Sequence, residues 1–208
     1  SGFDFTVIRG PSIQAASPPW LWEARLARGL VTLFYSIWKV GKSTLMRHMI
    51  TVGEHGGTLA GRQLSAVKIL YVSEESEVVW ADKARKQTFP DNLRLVISPC
   101  HVRTPETWEL FLQSCIEEHS REPFDVLVLD PLSDIFPYAD ENNAMEVQPI
   151  YAAIKQLAKH LNIAVMLIHH CGKGAQEDYT RSARGSGVHG SAADILIHMA
   201  KKSETSTD

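Results

Sequence analysis

The sequence predicts an α/β fold, a mostly parallel sheet flanked by helices on both faces, and three observations carry that prediction. Short apolar runs alternate with amphipathic helical stretches along most of the chain, the order that builds parallel sheets from strand-helix-strand units. The first strong apolar run leads through a short loop directly into a helical stretch. The composition, 44% apolar and 22% charged, is that of a globule with a real core. A length of 208 residues suits one domain, so residues 1–208 are expected to form a single unit.

Residues 10–29, GPSIQAASPPWLWEARLARG, combine Pro, Ser and Trp without helical or strand period and read as a lead-in segment packed over the core. LVTLFYS at 30–36 reads as a buried strand, and KSTLMRHMITVGEH begins a helix that Gly56 and Gly57 stop. VKILYVS at 67–73 is a second strand, followed by a polar amphipathic stretch to about Gln87, and LRLVIS at 93–98 is a third. Thr104, Pro105 and Glu106 then mark a helix start running on to about His119: a capping hydroxyl, a proline where no N–H is needed, and an acid against the positive helix end. FDVLVLD at 124–130, IAVMLIH at 163–169 and ADILIHM at 193–199 complete the strands, with a helix over 143–161. Residues 200–208 read as a polar tail or a truncation point.

The net charge of −3 gives no global attraction to nucleic acid, so such a partner needs a local basic surface or an assembled ring. Cys100, Cys115 and Cys171 are odd in number and far apart, which disfavours a disulfide framework and suits the cytoplasm. No apolar run approaches the roughly 18 residues of a membrane span, and SGFDF lacks the regions of a signal peptide, so no membrane association is expected.

SIWKVGKST at 36–44 fits the phosphate-loop pattern GxxxxGK[ST] at each fixed position except the first, where Ser36 stands for glycine. Ser36, Ile37, Trp38, Lys39, Val40, Gly41, Lys42, Ser43 and Thr44 are therefore the expected cradle for the phosphates of ATP. Gly41 permits the tight turn that points N–H groups inward, and Lys42 reaches the β and γ phosphates. Ser43 offers its hydroxyl to Mg²⁺, and Thr44 can bond the α phosphate. The loop leaves an apolar strand and opens a helix, the context this chemistry requires. A side chain at position 36 is tolerated where its φ is negative.

Asp130 ends the apolar strand 124–130, where a carboxylate can hold the Mg²⁺ shell from the carboxyl edge of a sheet; Asp125, at the start of that strand, belongs to the opposite edge. Glu74 and Glu75 follow the strand 67–73, and one of them can orient or deprotonate the attacking water. Glu75 is favoured over Glu74. His169 and His170 end another strand, so by alternation one points toward the nucleotide edge and its neighbour away. Cys171 and His189 beyond them do not reproduce a zinc spacing. CGKGAQEDYTRSARGSGVHG at 171–190 combines glycines with Lys173, Arg181 and Arg184, which suggests a mobile basic loop able to touch single-stranded DNA or a neighbouring subunit's ATP.

Together the phosphate loop, SEE after the next strand, VLVLDPLSDIF, and IHH followed by a loop with ARGSG resemble the RecA-like ATPases of the plasmid RepA replicative-helicase type. More distantly they resemble the DnaB helicases, RadA recombinases and KaiC-like ATPases. The lead-in PPWLWEARLARGLVTLFYS is also similar to the segment before the phosphate loop in that group. The resemblance spans roughly 18–200 and implies a RecA-like P-loop NTPase core that hydrolyses Mg-ATP, with a catalytic acid at Glu75. It implies that the strand ending in His169 lies between those of the phosphate loop and Asp130, that His169 senses the γ phosphate, and that Arg85 stacks on adenine. It further implies nucleotide held between subunits of a homo-oligomer, such as a hexameric ring, with Arg184 delivered in trans. A replicative motor on DNA, a recombinase-like or regulatory ATPase, and a slow nucleotide-binding switch all remain open on the sequence.

Overall fold

The computed structural model describes residues 18–36, 40–97, 102–170 and 187–200. Ten strands and five α-helices follow in chain order among them: β1 Trp20–Trp22, β2 Leu26–Ala27, β3 Val31–Ser36, α1 Lys42–Gly53, β4 Gly57–Leu59, β5 Arg62–Leu64, β6 Ile69–Ser73, α2 Glu77–Lys86, β7 Leu93–Ile97, α3 Pro105–Arg121, β8 Val126–Asp130, α4 Ala144–Leu161, β9 Ala164–His170, α5 Gly187–Ala192 and β10 Ile195–Met199. A 3-10 turn, Leu132–Asp134, follows β8.

Six strands form one sheet in the order β10-β3-β9-β8-β6-β7, every pairing parallel. The α/β class with a parallel sheet is thus as expected, and β9 lies between β3 and β8. The carboxyl ends of the strands share one edge: Ser36 pairs in register with His170 and Met199, and Ser73 with Asp130 and Ile97. In open α/β sheets ligands bind outside that edge, where the strand order switches.

Alternation along each strand splits the core in two. Leu33, Leu70, Val72, Leu127, Leu129, Val165 and Leu167 face α3 and α4, whereas Phe34, Ile69, Tyr71, Val126, Val128, Met166 and Ile168 pack with Met46 and Met49 of α1 and Trp80 of α2. Strands buried on both faces need apolar residues at nearly every position, which is why VTLFYS and VLVLD read as continuous runs.

Local signals account for the helix ends. The Thr104 hydroxyl accepts from the Thr107 N–H at 3.2 Å while the Thr107 hydroxyl accepts from the Thr104 N–H at 2.9 Å, and Pro105 opens α3 as expected. Asn143 caps α4 by accepting from the Met145 N–H at 3.0 Å, and Asn162 ends it in the left-handed conformation.

Two expectations need correction. The lead-in does pack over the core, with Trp22 and Leu26 buried, but residues 18–29 hold two strands where none was expected. They pair into an antiparallel sheet, β2-β1-β5-β4, with a hairpin that follows α1 and turns at Ala60 and Gly61, both in the left-handed region. The Trp22 indole ties the layer together by donating to the Leu59 carbonyl at 3.2 Å. Residues 187–190, expected within a mobile loop, lie instead in α5, with His189 buried at 1% exposure. Among the described residues no helix is long and apolar enough to cross a membrane.

Candidate functional site

At the carboxyl edge β3 delivers the chain to α1. Ile37, Trp38 and Lys39 lie outside the described residues, as do Lys173, Arg181 and Arg184. Gly41 sits at φ +104°, a conformation that L side chains rarely adopt, and an added Cβ there would meet the Met199 methyl at 3.4 Å. That turn begins α1 at once: the Gly41 carbonyl accepts from the Leu45 N–H at 3.0 Å. Val40, Ser43 and Thr44 reach solvent, so the helix start is open to a ligand.

Lys42 is buried at 8% exposure, and its Nζ donates to the Ser36 hydroxyl at 2.6 Å and to the Ser36 carbonyl at 3.3 Å. Ser36 belongs to strand β3, and the described non-glycine residues with positive φ are Ala24, Ala60 and Asn162. The departure from glycine at position 36 is therefore free of backbone strain.

Asp130 continues the α1-facing series Val126 and Val128, and it lines with Ser43 a cavity of about 140 Å³ between α1 and α2. Met46, Arg47, Tyr71, Trp80 and Lys83 line the same cavity. Tyr71 donates its phenolic hydrogen to Asp130. Burial, then the neighbouring Asp130 carboxylate, pushes the Tyr71 phenol well above its ordinary range, so it stays protonated and remains a donor. Sequence reasoning missed Tyr71. Its signal was alternation, which puts Tyr71 of β6 on the same face as Ser73, the register partner of Asp130.

A hydroxyl and a carboxylate oxygen beside an open helix N-terminus are the hard oxygen donors that suit Mg²⁺, which keeps its waters and takes one or two carboxylates plus substrate phosphate. Ser43 and Asp130 thus fit the ion. Among the described residues no group of three or more His, Cys, Asp or Glu side chains could hold a metal by itself. Asp125 serves the opposite edge, where it accepts from Arg28 and from the Lys68 N–H at 2.8 Å.

The acid pair divides after β6. The Glu74 N–H donates to the Asp130 carbonyl at 3.3 Å, which stitches that residue to β8, and its side chain is half-buried. Glu75 is exposed, its N–H donates to the Ser73 hydroxyl at 3.1 Å, and its carboxylate pairs with Lys83. The Lys83 ammonium also sits 4.3 Å from the Trp80 ring centroid. Arg85 lies on the outer surface of α2, paired with Asp82 at 3.1 Å and not among the cavity-lining residues.

His169 continues the α4-facing series Val165 and Leu167, on the side of β9 away from α1. Its ring centroid is 5.3 Å from that of His189 on α5, and His189 Nδ1 lies 3.2 Å from the Tyr151 hydroxyl. Burial lowers the pKa of His189 to about 4. The structure therefore brings Ser36, Lys42, Ser43, Asp130 and Tyr71 together on the α1 face and places His169 in a separate aromatic cluster with His189, Tyr138 and Tyr151.

A family model described as an AAA domain matches residues 3–176. No curated protein matches the chain.

Proposed function

The chain belongs to the AAA domain family of P-loop ATPases, and from that membership we propose that it hydrolyses Mg-ATP as a motor of the replicative-helicase type. The observation that carries the reading is the opening of Ser43 and Asp130 onto one cavity beside the buried Lys42. Lys42 would neutralise charge on the β and γ phosphates, while Ser43 and Asp130 would hold Mg²⁺, with Tyr71 keeping the Asp130 carboxylate in place. Held there, Mg²⁺ would supply positive charge that offsets the negative charge developing on the phosphate. Glu75 would orient and deprotonate the attacking water, which requires it to exchange its Lys83 partner for that water. His169, at the end of β9 between the strands of Ser36 and Asp130, is proposed as the γ-phosphate sensor, which requires its ring to leave the His189 cluster on the far face of the sheet. Arg85 is proposed at the adenine, and Arg184 as an arginine delivered to a neighbouring subunit in a homo-oligomer.

One specific observation favours a second reading, a slow nucleotide switch: the Ser36 hydroxyl already occupies Lys42, the cation that the phosphates need. Steady-state ATP hydrolysis with and without single-stranded DNA, over a range of protein concentrations, separates the two. A motor shows turnover that rises with DNA and with assembly. ATP binding with negligible turnover in every condition would leave the switch.

A further inference from the structure

Ser36 ends β3 fully buried and unstrained, so the glycine that the phosphate-loop pattern places there is not demanded by the backbone of this chain. What the side chain adds is a hydroxyl acceptor for Lys42. Its hydroxyl lies 2.6 Å from the ammonium, a charge-assisted distance, whereas the carbonyl that glycine would also offer is at 3.3 Å. At 8% exposure Lys42 has little water to replace a lost partner. An ammonium has three donors, and two of them are directed at this one residue.

We propose that Ser36 is a positioning residue that competes with nucleotide for Lys42, holding the ammonium in the empty site and so weakening the affinity for ATP and ADP. This deepens the nucleotide-site reading and rests on it. Phosphate oxygens entering the loop compete with the hydroxyl for the same ammonium, so the hydroxyl contact is lengthened or lost when they bind. The hydroxyl therefore stabilises the empty protein and not the occupied one, and its free energy is subtracted from binding. A glycine in its place removes the competitor and keeps the carbonyl. Threonine keeps the hydroxyl and with it the competition.

The test is equilibrium titration with MgATP and with MgADP of the wild type, Ser36→Ala, Ser36→Gly, Ser36→Thr and Lys42→Ala, with thermal melting of each empty protein. Ser36→Ala and Ser36→Gly should bind both nucleotides about tenfold tighter, which is about 1.4 kcal/mol. Ser36→Thr should keep the wild-type affinity, and empty Ser36→Ala should melt below the wild type. Equal or weaker binding by both Ser36→Ala and Ser36→Gly, or a Ser36→Thr protein that tightens as they do, overturns the proposal. In that case wild-type binding that Lys42→Ala abolishes still leaves the nucleotide site standing. Nucleotide binding by neither the wild type nor any variant overturns both.

Discussion

Lowering the pH should destabilise this protein through His189. The ring is buried among His169, Tyr138 and Tyr151, with Nδ1 against the Tyr151 hydroxyl and, among the described residues, no partner for Nε2. Burial disfavours the imidazolium and lowers the pKa from 6.5 to about 4. Between those two values the unfolded chain binds a proton that the folded chain refuses, so stability is complete above pH 6.5 and lost as the pH falls toward 4. Each pH unit in that window removes up to about 1.4 kcal/mol, about 3 kcal/mol in all, a large part of the roughly 5–15 kcal/mol that holds a domain folded. Urea unfolding from pH 7 to pH 4 on the wild type and His189→Gln isolates the contribution, since glutamine can still bond Tyr151 but does not titrate. The wild type should lose about 2–3 kcal/mol more than the variant over that range. Equal losses would show that His189 is solvated or charged in the folded state, and the aromatic cluster would then be wrongly described.

Glu75→Gln should leave ATP binding nearly intact and cut turnover by on the order of 10²-fold, with a smaller loss in Glu74→Gln. Single-turnover kinetics that give equal losses, or a larger one at Glu74, would move the role to the acid stitched to β8. Tyr71→Phe removes the donor to Asp130; with that carboxylate partly open to water, about 1.5 kcal/mol of stability should go, together with about tenfold in Mg²⁺ affinity measured in the presence of ATP. Unchanged Mg²⁺ dependence would separate Tyr71 from the metal site.

The parallel sheet was readable because its four inner strands, β3, β9, β8 and β6, are buried on both faces and so form apolar runs that stand out from the helices between them. The small antiparallel sheet was not: its strands are two or three residues long, too short for a period, and its two local pairs are joined only through the distant pairing of Trp22 with Leu64. GVHGSA of α5 was hidden for a different reason. Two glycines lower its helix propensity, and it is the packing of His189 against Tyr151 and His169 that offsets the deficit. The site shows the same division. Gly41, Lys42, Ser43 and Asp130 follow from local pattern, whereas the Tyr71 contact with Asp130 and the Ser36 contact with Lys42 arise only once β6 meets β8 and α1 folds back on β3.

Whether Lys42, Ser43 and Asp130 form one Mg-ATP hydrolysing site is decided by phosphate release from ATP by the wild type, Lys42→Ala and Asp130→Asn, with and without Mg²⁺. The wild type should turn over only with Mg²⁺, and both variants should lose at least about 10²-fold while keeping the wild-type circular dichroism spectrum. Wild-type rates in a folded Lys42→Ala protein, or turnover indifferent to Mg²⁺ and to Asp130, would contradict the single site.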